Sequence, residues 1–317
     1  MTKQTVLVLF GGVSNEYEVS LRSACSILSH LDRERFEPVT VGITRDGRWL
    51  LTDGSAEEIA ADRWAEAGIP ALLSPDRAAH GVLALEAGGL RTIRIDLIFP
   101  AVHGQNCEDG ALQGLMELSG IPYVGCGVCA SAVGFDKAIT HIVAERWGIP
   151  MARWCEVCAE EPAEAAADRV ERRFGGYPVF VKPVNSGSSV GTGRADDRAG
   201  LLSALSRAFV HDRRVLVEEL VIAHEVECAV LGNLAPDAPV TGEIVAPGGF
   251  YDYNSKYKND SARLYIPANI PVAAQDEVRR LAVAIYRALD CRGMARVDFF
   301  VREDGGVLFN EINTLPG

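Results

Sequence analysis

The sequence predicts an α/β protein, α+β over its whole length, organised as two or three domains. Three observations predict it. The chain opens with a buried strand, paired glycines and an amphipathic helix. Short apolar runs then alternate with helical periodicity. Its 317 residues are 48% apolar and 23% charged, enough to bury a sizeable core.

The elements follow in order. Val6-Leu7-Val8-Leu9-Phe10 is the first strand, and Gly11-Gly12 ends it. The next helix is expected to bury Val19, Ala24, Ile27, Leu28 and Leu31. Strand, glycine turn and helix open an α/β sheet, but no G-x-G-x-x-G dinucleotide fingerprint follows. Val39 to Ile43 and Ile95 to Phe99 read as strands, Ala111 to Leu118 as a helix stopped by Gly120, and Ile121 to Val124 as another strand. The Ala- and Gly-rich run from Thr52 to Gly89 reads as helix and loop. A second region opens near Gly125. Its helix, Asp136 to Trp147, presents Ile139, Ile142, Val143 and Trp147 as an apolar face and ends at Gly148 and Pro150. Ala159 to Ala167 suits a solvated helix, while Val179 to Val181 and Val215 to Val217 are strands. A third region, mixed α/β, runs to the end, without internal repeats or a disordered linker.

Composition narrows the function classes. The net charge is −12, which argues against general nucleic-acid binding. No apolar run approaches the ~18 residues of a membrane helix, and the first ten residues lack a signal-peptide pattern. A cytoplasmic protein with no membrane partner is expected. Only five of 31 basic residues are lysines: Lys3, Lys137, Lys182, Lys256 and Lys258. In a chain that otherwise uses arginine, a compact ammonium suits a phosphate or a carboxylate. Lys3 and Lys258 read equally well as surface residues.

Lys182-Pro183 leads into the Gly/Ser stretch Asn185 to Gly193. Closely spaced glycines let backbone N–H groups approach phosphate oxygens, with Lys182 as a point charge beside them. An ordinary flexible loop fits the same residues, and a P-loop motif is absent. The C-terminal hairpin says more. Strands Arg296 to Val301 and Val307 to Asn313 flank Asp304-Gly305, a favoured two-residue turn that would pair Glu303 with Gly306. That register sets Asp298 opposite Glu311 and Arg296 opposite Asn313, all four on one face. Two facing carboxylates repel unless neutralised. Asp298, Glu311 and the Asn313 amide oxygen suit Mg²⁺, a hard cation; a solvated acidic patch or a pair with Arg296 is the alternative.

Cys126-x-x-Cys129 and Cys155-x-x-Cys158 have zinc-ribbon spacing, yet Arg153 to Val157 reads as a strand, where residues three apart point to opposite faces. Reduced, buried thiols are the simpler reading. His103 follows a strand within His103-Gly104-Gln105-Asn106-Cys107-Glu108-Asp109-Gly110, where open α/β sheets bind ligands; a core histidine fits as well.

Together these motifs resemble the D-alanine–D-alanine ligases, members of the ATP-grasp enzymes. The resemblance spans Leu9 to Ser20, Phe99 to Gly104 with Glu108-Asp109-Gly110, Gln113-Gly114 and Ile121 to Gly125. It continues through Asp136-Lys137, Lys182-Pro183, Gly187 to Gly191, Phe250 to Tyr253 with Lys256-Tyr257, Arg296-Val297-Asp298 and Asn310 to Gly317. It implies a three-domain ATP-grasp fold with an N-terminal open parallel sheet, divided at residues 1–125, 126–217 and 218–317. It also implies a homodimer and a reaction that joins two D-alanines for peptidoglycan through an acyl phosphate.

By the same resemblance, Lys137, Lys182 and Ser189 would contact ATP phosphates. Glu218 and the backbone near Val221 would hold adenine, and Glu225 the ribose. Asp298, Glu311 and Asn313 would hold two Mg²⁺ ions, which Mn²⁺ can replace. Arg296 and the Gly317 N–H would stabilise the tetrahedral intermediate. Glu16 would bind the first substrate's ammonium and His103 would lie near its carboxylate, with Glu16, Ser188 and Tyr257 in one network. Lys256 would face the second substrate, and Phe250 to Leu264 would close the site against water.

Three departures stand out. Tyr17, between Glu16 and Glu18, resembles the D-alanine–D-serine ligases of vancomycin-resistance type; D-lactate is a further possible acceptor. Cys107 replaces a usual glycine. The chain ends at Gly317, where family members continue for roughly thirty residues, so a truncated nucleotide-binding protein without turnover is the competing expectation.

Overall fold

In the computed structural model, which describes residues 3–245 and 263–316, the chain forms two compact units. The first comprises Met1–Ala132 with Thr314–Gly317, the second Val133–Asn313.

The first unit holds a seven-stranded sheet. Its strands are β1 (Gln4–Gly11), β2 (Phe36–Ile43), β3 (Trp49–Thr52), β4 (Ile69–Leu73), β5 (Gly81–Glu86), β6 (Gly89–Arg94) and β7 (Leu97–Val102), in the order β6-β5-β4-β3-β2-β1-β7. Helices α1 (Tyr17–His30), α2 (Ala56–Ala60) and α3 (Ala111–Ser119) accompany it. Only β2, β1 and β7 run parallel, so the expected open parallel sheet is the core of a mixed one. The antiparallel extension comes largely from the stretch read as helix and loop. Alternating residues such as Gly81-Val82-Leu83-Ala84-Leu85-Glu86 form strands there, because Val82 and Ala84 enter the core. Ile121 to Val124 contributes only a single bridge to β7. Pro122 has no N–H to continue a ladder. On α1 the buried stripe is Tyr17, Ser20, Leu21, Ala24 and Leu28, with Val19 and Ile27 at its margin.

Helix α4 (Val128–Phe135) leads into the second unit, which contains two sheets. After α5 (Lys137–Arg146), the first sheet is formed by β8 (Trp154–Cys158), β9 (Val179–Pro183), β10 (Gly193–Ala195) and β11 (Arg214–Glu219), in the order β10-β9-β11-β8. Helices α6 (Ala163–Phe174) and α7 (Arg198–Ala208) pack on it through Ala166, Ala167, Val170, Leu201, Ala204 and Leu205. The second sheet has β12 (His224–Leu231), β13 (Thr241–Val245), β14 (Arg263–Tyr265), β15 (Met294–Val301) and β16 (Val307–Asn313), in the order β14-β13-β12-β15-β16. Helix α8 (Val272–Ala288) packs against it. Of the expected closing segment, Arg263 and Leu264 belong to β14, paired with Val245 and Ile244, and residues 250–262 lie outside the described residues.

The predicted apolar face of α5 is overturned. Its buried residues are Ala138, Thr140, His141 and Ala144, while Ile142 and Trp147 are 54% and 59% exposed. The side that turns inward carries Thr140 and His141, which find hydrogen-bond partners in the Val133 carbonyl and Glu218.

Candidate active site

Helix α5 is held at its start. Asp136 caps it, Oδ1 accepting from the Ile139 N–H at 2.9 Å, while Oδ2 pairs with Arg214 on β11. Lys137 is thereby fixed as the first helical residue. Its Nζ donates to the Ser186 carbonyl at 2.6 Å and lies 3.7 Å from Glu311 Oε2.

Strand β9 delivers Lys182. Its Nζ donates to Asn310 Oδ1 at 2.8 Å, lies 2.6 Å from Glu218 Oε2, and sits near the rings of Phe180 and Phe300. Glu218, on β11, is fully engaged: its other oxygen lies 3.0 Å from His141 Nε2. Burial pushes the Glu218 carboxyl up, but the Lys182 ammonium and His141 outweigh it and hold it at about 2.

The hairpin reaches its expected register by an unexpected route. Arg302 N–H donates to the Gly306 carbonyl and Gly305 N–H to that of Arg302, closing a three-residue loop with Gly305 at φ +83°. The predicted Glu303–Gly306 pairing is therefore wrong, and the arms start one residue out of step. A β-bulge at Asn310 restores the step, because Phe299 faces Phe309 while Asp298 faces Glu311. Arg296 faces Asn313, as expected. Arg296 bonds both Asp298 oxygens at 2.8 Å, and Asn313 Nδ2 donates to Asp298 Oδ2 at 3.1 Å. Burial works against the Arg296 charge, yet Asp298 more than compensates, so its pKa rises well above the ordinary arginine value. Glu227 on β12, the partner of Asp298 on its other side, lies 3.4 Å from Arg296.

The Gly/Ser loop is tightly specified. Ser188 and Ser189 both adopt left-handed φ, +52° and +57°, which side-chain-bearing residues rarely do. A Cβ on Gly191 would come within 2.5 Å of His211. Val221 lies in the connection after β11, and Glu225 on β12 faces Ile244 and Phe300.

The first unit groups Glu16 and His103 near β1 and β7. A Cβ on Gly104 would lie 2.6 Å from Glu16 Oε2, so only glycine lets that carboxylate settle against residue 104. Buried His103 is oriented by Ser23 Oγ at 2.9 Å and the Leu315 carbonyl at 3.2 Å. Tyr17 faces away into the core. Its hydroxyl donates to Asp62 and accepts from the Trp64 indole, under the Arg45 guanidinium. Cys107 packs near Gly12, and burial raises its thiol pKa to about 12. Lys256, Tyr257 and Gly317 lie outside the described residues.

Cys155 packs against the apolar core while the Cys158 thiol faces Glu156, as residues three apart on a strand should. Among the described residues, no three His, Cys, Asp or Glu side chains gather as a metal site.

Sequence reasoning missed His141, Asn310 and Glu227. Glu227 becomes visible once β12 is paired with β15, and Asn310 once the bulge is known. His141 had a signal: a histidine one turn after Lys137 on the same helix.

Family models described as D-ala D-ala ligase N-terminus and D-ala D-ala ligase C-terminus match residues 5–126 and 143–317. The chain belongs to the D-alanine–D-alanine ligase family. It is 46% identical over 322 residues to the D-alanine–D-alanine ligase of Caldicellulosiruptor bescii, covering 100% of this chain and 88% of the relative. The crystal structure of the VanG D-Ala:D-Ser ligase from Enterococcus faecalis matches with a TM-score of 0.90 at 39% identity, over 100% of this chain and 91% of that one. The D-alanine-D-alanine ligase from Coxiella burnetii matches with a TM-score of 0.85 at 34% identity, over 99% and 86%. Membership of the family implies an ATP-dependent ligase.

Proposed function

We propose that this chain is a cytoplasmic, homodimeric enzyme that joins two D-alanines into D-alanyl-D-alanine for peptidoglycan, converting ATP to ADP and phosphate. One observation carries the site: both lysines reach the carboxylate hairpin, Lys137 to Glu311 and Lys182 to the adjacent Asn310. Two cations beside facing carboxylates suit a polyphosphate and a hard divalent ion.

The donor chemistry fits Mg²⁺, since Asp298 and Glu311 face each other and Asn313 adds an amide oxygen. These three residues would hold it, and bound Mg²⁺ would neutralise phosphate charge. Lys137, Lys182 and the loop around Ser189 orient the phosphates. Val221, Glu218 and Glu225 line the adenosine side, with residues 126–217 and 218–317 as the two grasping domains.

Glu16 takes the ammonium of the first D-alanine, and His103 stands beside its carboxylate. A carboxylate oxygen attacks the γ-phosphorus, ADP leaves, and an acyl phosphate forms. The amine of the second D-alanine, its carboxylate facing Lys256, then attacks the acyl carbonyl. Arg296 and the Gly317 N–H stabilise the oxyanion before phosphate leaves. By the family resemblance, Glu16, Ser188 and Tyr257 would form one hydrogen-bonded network. This chemistry rests on positioning and charge neutralisation.

The likeness to a D-Ala:D-Ser ligase supports a second reading, D-serine as acceptor. Phosphate release with D-alanine alone, then mass spectrometry of products from mixed D-alanine, D-serine and D-lactate, separates the two. D-alanyl-D-alanine is the expected main product. Thermal protection by ATP without phosphate release from any mixture would overturn the ligase reading.

A further inference from the structure

Three ionisable side chains, one of them the proposed phosphate ligand Lys182, are buried together, and only two of them belong to the nucleotide reading above. His141, Glu218 and Lys182 have side chains 2%, 5% and 11% exposed. His141 Nδ1 lies 2.6 Å from the Lys137 carbonyl, a group that only accepts. His141 Nε2 lies 3.0 Å from Glu218 Oε1, and Lys182 Nζ is 2.6 Å from Glu218 Oε2. Trp154, edge-on at 5.4 Å, and Phe309 at 6.1 Å wall the imidazole.

Electrostatics gives this chain of contacts a purpose. A Lys182–Glu218 pair alone is neutral and offers little to a polyphosphate. An acceptor lies at each ring nitrogen, an arrangement that a doubly protonated His141 would fill, adding a second positive charge. The trio then carries one net positive charge in a poorly hydrated setting, where charge is weakly screened.

We propose that His141 is a positioning residue for nucleotide binding: it engages Glu218 so that Lys182 keeps its charge available to the ATP phosphates. The same ring ties down the helix turn that carries Lys137, so one residue serves both lysines. This rests on the ATP-dependent ligase reading.

The test compares His141→Gln, which keeps a donor but drops the charge, with His141→Lys, which restores it. Initial rates of the full chain are measured against ATP at saturating D-alanine. His141→Gln should raise the KM for ATP about tenfold with kcat within about twofold. His141→Lys should return that KM to within about threefold of the unmodified chain. A KM indifferent to His141→Gln, or an equal loss in both variants, would overturn the proposal. Should His141→Gln fail to fold, ¹⁵N imidazole spectra of the intact chain, assigned by difference against His141→Lys, decide. Two protonated nitrogens support the proposal, and one overturns it. Absence of ATP-dependent phosphate release from the unmodified chain overturns the ligase reading and this proposal with it. Turnover with a KM insensitive to residue 141 overturns the proposal alone.

Discussion

Helix α8 buries Ala274, Val278, Leu281, Ala282, Ile285 and Tyr286, the stripe its apolar spacing dictates, whereas α5 buries Thr140 and His141 and leaves Ile142 and Trp147 exposed. Both helices belong to the second unit. The difference lies in what they face. Helix α8 covers a sheet and is stabilised by apolar contact. Helix α5 looks onto Glu218 and presents Lys137 toward Glu311, so its inner face must carry hydrogen-bonding groups matched to buried charge. An amphipathic pattern fails in this direction where a helix faces buried charge rather than an apolar sheet.

Substitutions can break or sharpen that contrast. Asp298→Ala should reduce turnover more than about a hundredfold, because the divalent ion would lose a ligand, and should also lower the melting temperature, because Arg296 loses its bidentate partner. An unchanged kcat would detach the hairpin, and α5 with it, from catalysis. On α8, Leu281→Ala should cost about 2–5 kcal/mol in a denaturant melt and leave the KM for ATP alone. A shifted KM would erase the distinction between the helices. Glu218 provides a test in acid. Its carboxyl is held at about 2 against an ordinary 4.5, so its stabilisation is complete above 4.5 and lost as pH falls toward 2. Glu218→Gln should therefore show a shallower fall in melting temperature across that window than the unmodified chain; equal slopes would contradict it. Asp136→Ala removes both the α5 cap, worth about 1 kcal/mol, and the pair with Arg214, so the loss should be at least about that much. The smallest effect belongs to the exposed side of α5, where Ile142→Ser should change stability by no more than about 0.5 kcal/mol. A large loss there would mean that the face is covered in solution.

Much of this was legible in the sequence. Lysine scarcity singled out Lys137 and Lys182, and alternation along the last two strands brought Asp298 opposite Glu311. Other features were hidden for identifiable reasons. The rule that buried means apolar misread α5, because His141 is buried by pairing with charge. Counting back from a turn assumes an unbroken ladder, so the pairing of Glu303 was misplaced although Asp298 was not. Glu227 depends on the neighbour chosen by β12, a long-range pairing that local pattern does not carry. The strands β4 to β6 were obscured by their alanines and glycines, which fit loops as readily as a small-residue core.

The bulge at Asn310 has one more consequence. Side chains on an unbroken strand keep a fixed phase, so Phe309 and Glu311, two residues apart, would share a face. The extra residue inverts that phase. Phe309 turns into the core against Phe299, Glu311 stays beside Lys137, and Asn310 is released toward Lys182. Deleting Asn310 would force one strand to choose between burying Phe309 and keeping Glu311 beside Lys137; with it, a few consecutive residues satisfy both.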